Sequence, residues 1–331
     1  MQISQDISLS TIYQPIAREM VAVNEELLKH LRDAFELIKG IGFEQTVVGG
    51  KHIRPALSLL AGMALEPDRG AELIDVAVAS EMTHFASLIH DDVVDGARMR
   101  RGVESINARW HDKVAVLLGD YIISKAMYML SEYGNSDVIR TIMTAVKDMS
   151  EGELHQITIR SDGVISEDDY YSVIRHKTSS LMSAVCTMPV QILGKPAEIV
   201  DAMSCFGLNF GMAFQIVDDL LDFRADEGQL GKPIFCDIKD GKATLPTICL
   251  LSRVDKTGAD RIKRILNERH LEDADRAWLY EVIPEFAVDD YCLGIARDFT
   301  AKATSALAIV PDSEYKKSLC ELCEYVLTRD K

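Results

Sequence analysis

Two aspartate-rich segments of identical spacing constrain this 331-residue chain more than any other feature: Asp91-Asp92-Val93-Val94-Asp95 and Asp218-Asp219-Leu220-Leu221-Asp222. Each lies in or beside an apolar, helix-compatible stretch, ASLIH before the first and MAFQIV before the second. On a helix the first and last Asp of each copy are one turn apart and share a face. Carboxylates crowded on a half-buried helix repel one another and lose hydration. A single copy reads equally well as a solvated acidic face. Two copies with the same spacing and the same apolar filling point to bound cations, and predict that the two clusters face each other. Hard oxygen ligands favour Mg2+ or Mn2+, and Mg2+ keeps waters and bridges to substrate phosphates.

The surrounding pattern is helical. Ile16, Met20, Val23, Leu27, Leu31 and Leu37 recur at helical steps through residues 15–39. Residues 71–95, 114–132, 137–157, 170–193, 198–223 and 242–252 read as further helices. Turn signals separate them, among them Tyr133-Gly134-Asn135, Gly194-Lys195-Pro196 and Asp226-Glu227-Gly228. Ser166 three residues before Asp169 is a capping signature for a helix starting near 167. Residues 258–328 add amphipathic helices without evident chemistry. Strand signals are nearly absent, and no linker or composition shift divides the chain. The expectation is an all-α fold: one domain over 1–331, a helical bundle with a central active-site cavity built from facing helices.

Composition removes other classes. A net charge of -16 argues against a sequence-independent nucleic-acid binder. The N-terminus shows no apolar signal core and no Arg-rich transit pattern, and no uninterrupted apolar run approaches a membrane span. Seven scattered Cys read as reduced thiols of a cytoplasmic protein. Cys320 and Cys323 form a lone CxxC, read as neighbours on a C-terminal helix.

Basic residues accompany the acidic ones. Gly49-Gly50-Lys51-His52-Ile53-Arg54-Pro55 is predicted to open a helix with two cations on its first turn, where backbone N–H groups favour anions. Arg100-Arg101 follows the first Asp motif, Lys177-Thr178 sits within a helical segment, and Lys232 and Lys242 follow the second motif. Acids and bases in this proportion describe metals on one side of an oxyanion and direct cations on the other. Two basic sets would suit two diphosphate groups.

GGKHIRP, HDDVVDGARMRRG, HKTSSL, GMAFQIVDDLLDF and GKATLP, in this order over about residues 45–250, resemble the trans-prenyl (polyprenyl) diphosphate synthases, and among them long-chain members such as octaprenyl diphosphate synthases. The resemblance implies an isoprenoid-synthase-type helical bundle. It implies that Asp91, Asp92, Asp95, Asp218, Asp219 and Asp222 hold about three Mg2+ on an allylic diphosphate, with Mn2+ as a substitute. Arg100, Lys177 and Lys232 would hold that diphosphate, and Lys242 also falls among the substrate-binding residues. Thr178 and Gln215 would lie near the reacting carbons. Lys51, Arg54, His84 and Arg101 would bind isopentenyl diphosphate. The implied partners are these two substrates and a second copy of the chain, with no nucleic acid and at most transient membrane contact. A terpene cyclase would leave Lys51, Arg54 and Arg101 without a second diphosphate. A subunit of a heteromeric synthase and a medium-chain (geranylgeranyl or farnesylgeranyl) synthase stay open as alternatives.

Two departures from the family pattern stand out. His52 replaces a frequent Arg, with little consequence expected. Phe235 stands where Gly is usual, and because Phe cannot take up a glycine-only backbone cheaply, a differently shaped loop is expected beside Lys232. Product length is expected to follow Ser80, Thr83, Ala86 and Ser87, a stripe of small residues extending roughly 16 Å back from Asp91. It predicts a long product of six to nine isoprene units, such as an octaprenyl diphosphate for a quinone tail. The floor of the tunnel is assigned to residues 139–149, with Ile142, Met143, Val146 and Met149.

Overall fold

The computed structural model describes residues 8–38, 50–100, 102–162, 166–224 and 235–329. Thirteen helices of eight or more residues account for most of them: α1 Ala17–Glu36, α2 Ile53–Met63, α3 Ile74–Val94, α4 Asp112–Ser131, α5 Ser136–Asp162, α6 Glu167–Ile174, α7 Ser180–Ile192, α8 Ala197–Arg224, α9 Leu245–Arg253, α10 Lys256–Glu268, α11 Asp273–Glu285, α12 Val288–Ala306 and α13 Glu314–Thr328. The only strand pairing among the described residues is a two-residue antiparallel hairpin, β1 Met99–Arg100 with β2 Val103–Glu104. The fold is all-α, as the helical periodicity requires.

The chain forms two compact units. The first comprises Met1–Thr144, Ser183–Ser204 and Leu307–Leu322. Its central element is α3, packed against α1, α2 and α4. Val23, Leu27 and Leu31 of α1, Leu57 and Leu60 of α2, Val76, Met82 and Ala86 of α3, and Ile122 and Leu130 of α4 are buried. Gly134 (φ 62°) and Gly194 (φ 65°) occupy the left-handed region at two of the expected turns.

The second unit comprises Ala145–Met182, Cys205–Ala306 and Cys323–Lys331. The capping box holds: Ser166 Oγ accepts from the Asp169 N–H at 3.1 Å, and Asp169 Oδ2 accepts from the Ser166 N–H at 3.1 Å. Helix α9 packs on α6, α10 and α12, and α11 packs on α12. Phe206, Phe210 and Phe214 follow one face of α8, with successive ring centroids 6.0 and 6.2 Å apart. Asp275, 1 % exposed at the start of α11, accepts from Arg261 Nε at 2.6 Å and from Arg264 Nη2 at 2.7 Å. Burial pushes its carboxyl up, but the two guanidinium groups and the Glu272 N–H outweigh this and hold it below the ordinary range.

Several expectations need correction. Leu37 lies past the end of α1 and is 64 % exposed, while Ala34 and Phe35 complete the buried face. Met143 is 48 % exposed; the apolar face of α5 is set by Val138, Ile142 and Ala145, so Met143 cannot help to floor a tunnel. Helix α2 starts at Ile53, leaving Lys51 before the helix rather than on its first turn. The predicted helix over 170–193 is interrupted by a five-residue π-helical turn, Arg175–Ser179. By mean hydropathy, α4 and Ala197–Phe223 of α8 are long and apolar enough to cross a membrane, although polar residues interrupt both. Core helices meet the same test.

Asp275→Ala is expected to lower the unfolding free energy by about 3 kcal/mol, because two half-buried guanidinium groups lose their partner. The depressed carboxyl stabilises the fold above its unfolded pKa, so the deficit should shrink as pH falls below about 4. Urea denaturation at pH 7 and pH 3.5 checks both.

Candidate active site

Asp91 and Asp92 occupy the last turn of α3, and Asp95 caps it, its N–H donating to the Asp91 carbonyl at 2.8 Å. Carboxylates there oppose the negative end of the helix dipole, which raises their demand for cations. Asp92 is buried, and Arg100, carried back by the β1–β2 hairpin, donates to its Oδ1 at 2.7 Å through Nε. Asn107 Nδ2 holds the Asp92 carbonyl at 3.2 Å and the Ala97 carbonyl at 3.1 Å. His90 is fixed against α4. A Cβ on Gly119 would fall 2.3 Å from its Nε2, and that nitrogen lies 3.2 Å from the Val116 carbonyl and 3.4 Å from Asp120 Oδ1.

In the same unit, the Lys51 carbonyl accepts from the Tyr13 hydroxyl at 2.9 Å. His52 takes a left-handed backbone (φ 47°) as N-cap of α2 and lies 3.8 Å from Glu81. Arg54 and His84 are half-buried on α2 and α3. Ser80, Thr83 and Ala86 are fully buried; Ser80 Oγ and Thr83 Oγ1 donate back to the Val76 and Ala79 carbonyls at 2.7 and 2.8 Å. Ser87 is half-buried and donates to the His84 carbonyl at 2.8 Å. Gly49, Arg101 and Lys232 lie outside the described residues.

The second motif lies in the last two turns of α8, and its Asp219 borders a cavity of about 160 Å³. Lys177, Thr178, Gln215, Asp219 and Lys242, all expected at the site, line this cavity together with Tyr170, Gln156 and Asp237, which were not. Asp219 is buried; its Oδ2 accepts from the Tyr170 hydroxyl at 2.6 Å and its Oδ1 from Gln215 Nε2 at 2.8 Å. Thr178 Oγ1 donates to Gln215 Oε1 at 2.8 Å. Burial pushes the Asp219 carboxyl up to about 7, against the pull of those two hydrogen bonds. Burial, with Asp219 and Asp222 nearby, also drives Asp237 well above the carboxylate range, partly countered by Lys242. Lys177 Nζ pairs with Glu153 and donates to Gln156 Oε1 at 3.3 Å.

Asp222 and Asp218 have separate duties. Asp222 accepts from the Cys236 N–H at 3.1 Å and the Asp237 N–H at 3.0 Å, at the start of the short helix Cys236–Lys239. Asp218, half-exposed, accepts from Arg329 Nη2 at 3.1 Å, whose guanidinium lies 4.1 Å from the Phe214 ring centroid and is itself only 7 % exposed. Arg329 stands one residue past the amphipathic stretch 258–328. No local pattern marks it, since its partner is more than a hundred residues away. Tyr170 had a signal: it stands two helical turns before Lys177.

Phe235 also needs revision. It does adopt a left-handed backbone, φ 58° and ψ 35°, where a side chain costs roughly 1–2 kcal/mol. Its ring is fully buried, with edge contacts to Phe223 and Tyr280 at 5.4 Å, and burial of that size offsets the strain. The π-helical turn presenting Lys177 and Thr178 is enclosed as tightly. A Cβ on Gly211 would fall 2.7 Å from the Ser179 Cα, and one on Gly152 would fall 3.0 Å from the Lys177 nitrogen.

The donor set suits a hard divalent cation: carboxylates only, at helix C-termini, one of them held near pKa 7 by burial. Among the described residues no three acidic, imidazole or thiol side chains converge into a ready-made cage. Mg2+, which retains waters and shares substrate oxygens, requires none.

Comparison with known proteins identifies the class. The polyprenyl synthetase family profile matches residues 37–283, about three-quarters of the chain. The octaprenyl diphosphate synthase of Escherichia coli is 32 % identical over 98 % of this chain and 100 % of its own length. The geranyl-diphosphate-specific all-trans-nonaprenyl-diphosphate synthase of Rhodobacter capsulatus is 31 % identical over 96 % and 97 %. The crystal structure of a Caulobacter crescentus polyprenyl synthase, complexed with calcium and isoprenyl diphosphate, superposes with a TM-score of 0.89 at 27 % identity, covering 99 % of this chain and 100 % of that one. This chain belongs to the polyprenyl synthetase family and is a prenyltransferase.

Gly211→Ala should destabilise the protein by about 1–3 kcal/mol through backbone overpacking. By displacing Thr178 it should also lower turnover about tenfold or more at a temperature where the variant stays folded. Denaturation midpoints and steady-state kinetics measure the two effects separately.

Proposed function

We propose that this protein condenses an allylic prenyl diphosphate, geranyl or farnesyl, head-to-tail with isopentenyl diphosphate to make a long-chain trans-polyprenyl diphosphate for a quinone side chain. The observation that carries this reading is one cavity in which Lys177 and Lys242 stand with Thr178, Gln215 and the doubly held Asp219. Such a site suits an anionic head group and a developing positive charge together. The allylic C–O bond breaks with its electron pair leaving on pyrophosphate; the isopentenyl double bond attacks the cation, and a proton is lost from the new chain. Lys177 and Lys242 bind the leaving group's oxygens, and Arg100 and Lys232 belong to the same set. Lys51, Arg54, His84 and Arg101 bind isopentenyl diphosphate. Thr178 and Gln215 direct dipoles at the cation. Asp91, Asp92, Asp95, Asp218, Asp219 and Asp222 form the metal set, with Asp222 acting through its hold on the 236–239 turn. Bound Mg2+ supplies charge neutralisation of the departing pyrophosphate.

The family match spans both compact units, which supports one polyprenyl synthase domain over the whole chain. A homodimer is supported by Leu117, Tyr121 and Tyr128, exposed at helical steps along α4; a monomer in sedimentation equilibrium would overturn it. A cytoplasmic enzyme that touches membrane only to release product agrees with the acidic net charge of -16, and fractionation to a membrane pellet would contradict it. Incubation with radiolabelled isopentenyl diphosphate, farnesyl diphosphate and Mg2+ tests the reaction. Turnover only after adding a second chain would favour a heteromeric subunit instead.

Ala86→Tyr should shorten the product by several isoprene units on thin-layer chromatography if the buried small-residue stripe lines the chain tunnel; an unchanged length refutes that assignment. A second outcome concerns pH. Asp219 is raised in the fold, so without a divalent cation stability is lost as pH climbs from the ordinary carboxylate range, about 4, up to about 7. Mg2+ should therefore raise the denaturation midpoint more at pH 8 than at pH 5, and an equal effect at both would count against cation binding at this carboxylate.

A further inference from the structure

A hydrogen-bond relay of fixed direction crosses the second unit's cavity. It begins at Tyr170, 4 % exposed, whose hydroxyl donates to Asp219 Oδ2 at 2.6 Å. The other carboxylate oxygen accepts from Gln215 Nε2 at 2.8 Å. Both Asp219 oxygens accept, from the phenol and from the Gln215 amide nitrogen, so the amide oxygen faces away. That oxygen accepts from Thr178 Oγ1 at 2.8 Å. The Thr178 proton is thereby turned toward Gln215, and its lone pairs are left for the cavity it lines. A hydroxyl oriented this way attracts positive charge; one with its proton turned inward repels it.

Both Asp219 oxygens are needed for this outcome. Without the phenol the carboxylate loses one of its two tethers and can rotate away from Gln215. A flipped Gln215 amide would donate to Thr178 rather than accept from it, and the threonine proton would then point into the cavity. Tyr170 never needs to touch the substrate to have this influence.

We propose that Tyr170 is a positioning residue that sets, through Asp219 and Gln215, the donor direction of Thr178, so that Thr178 offers lone pairs to the allylic cation. The inference rests on the prenyl transfer proposed above and deepens it.

A double-mutant cycle in single-turnover condensation of geranyl diphosphate with isopentenyl diphosphate tests it. Tyr170→Phe and Thr178→Val are each expected to slow the step about tenfold, with KM for both substrates little changed, since the effect belongs to the transition state. Together they should still cost about tenfold, because both break the same relay. Thr178→Ser should retain the wild-type rate. The rate ratio between geranyl and 2-fluorogeranyl diphosphate, which reports cation development, should widen in Tyr170→Phe. Multiplicative losses of about a hundredfold in the double variant, or an unchanged fluorine ratio, would overturn the proposal. Should Tyr170→Phe fail to fold, Gln215→Leu interrupts the same relay and takes its place in the cycle with the same expectations. Wild-type turnover with an additive cycle defeats the relay alone, whereas absence of prenyl product from the wild-type protein defeats the proposed function and the relay with it.

Discussion

Carboxylates at the C-terminal end of an α-helix meet the negative end of its dipole, and this chain sets six of them at the ends of α3 and α8. Burial deepens the conflict at Asp92 and Asp219. Much of the local architecture answers it. Arg100 returns on a two-stranded hairpin to Asp92; Tyr170 and Gln215 hold Asp219; two backbone N–H groups hold Asp222; Arg329 comes from far along the chain to Asp218. Neutral hydrogen bonds only partly offset the burial of Asp219, whose carboxyl stays near 7. The remaining deficit is what a divalent cation on a diphosphate would remove.

Close backbone approach is the second organising element. Gly152 and Gly211 let α5 and α8 close on the Arg175–Ser179 turn, and Gly119 admits the His90 ring between α3 and α4. In each case an added methyl group would meet atoms within about 3 Å. The π-helical turn changes the facing of Lys177 and Thr178 relative to a continuous α-helix, and such turns recur at functional sites. The shape of this turn depends on how near two helices can come as much as on which polar groups they carry.

Lys177, Thr178, Gln215, Asp219 and Lys242, which line the cavity, were legible because their chemistry is local. DDVVD and DDLLD announce themselves by spacing, and Lys177-Thr178 and Lys242 belong to recognisable family motifs. The helices followed from apolar periodicity, with errors where an end or a face was misjudged: Leu37 past the last turn of α1, Met143 on the solvent side of α5, Lys51 ahead of α2. Tyr170 is less legible, because a tyrosine in an amphipathic helix is ordinarily core. Phe235 was expected to avoid glycine's backbone and instead adopts it. Its partners Phe223 and Tyr280, which make that backbone tolerable, are 12 and 45 residues away.

By itself the sequence determined the helical class, the family and the chemical types at the site, since periodicity and motif spacing survive in one dimension. Only the tertiary structure decided what each group does with its hydrogen bonds. It assigned Asp222 to a helix start, Asp218 to Arg329, and Asp219 to a donor pair that orients Gln215 and Thr178. The reason is that hydrogen-bond direction and burial are properties of what surrounds an atom, and those surroundings are assembled from chain segments that the sequence keeps far apart.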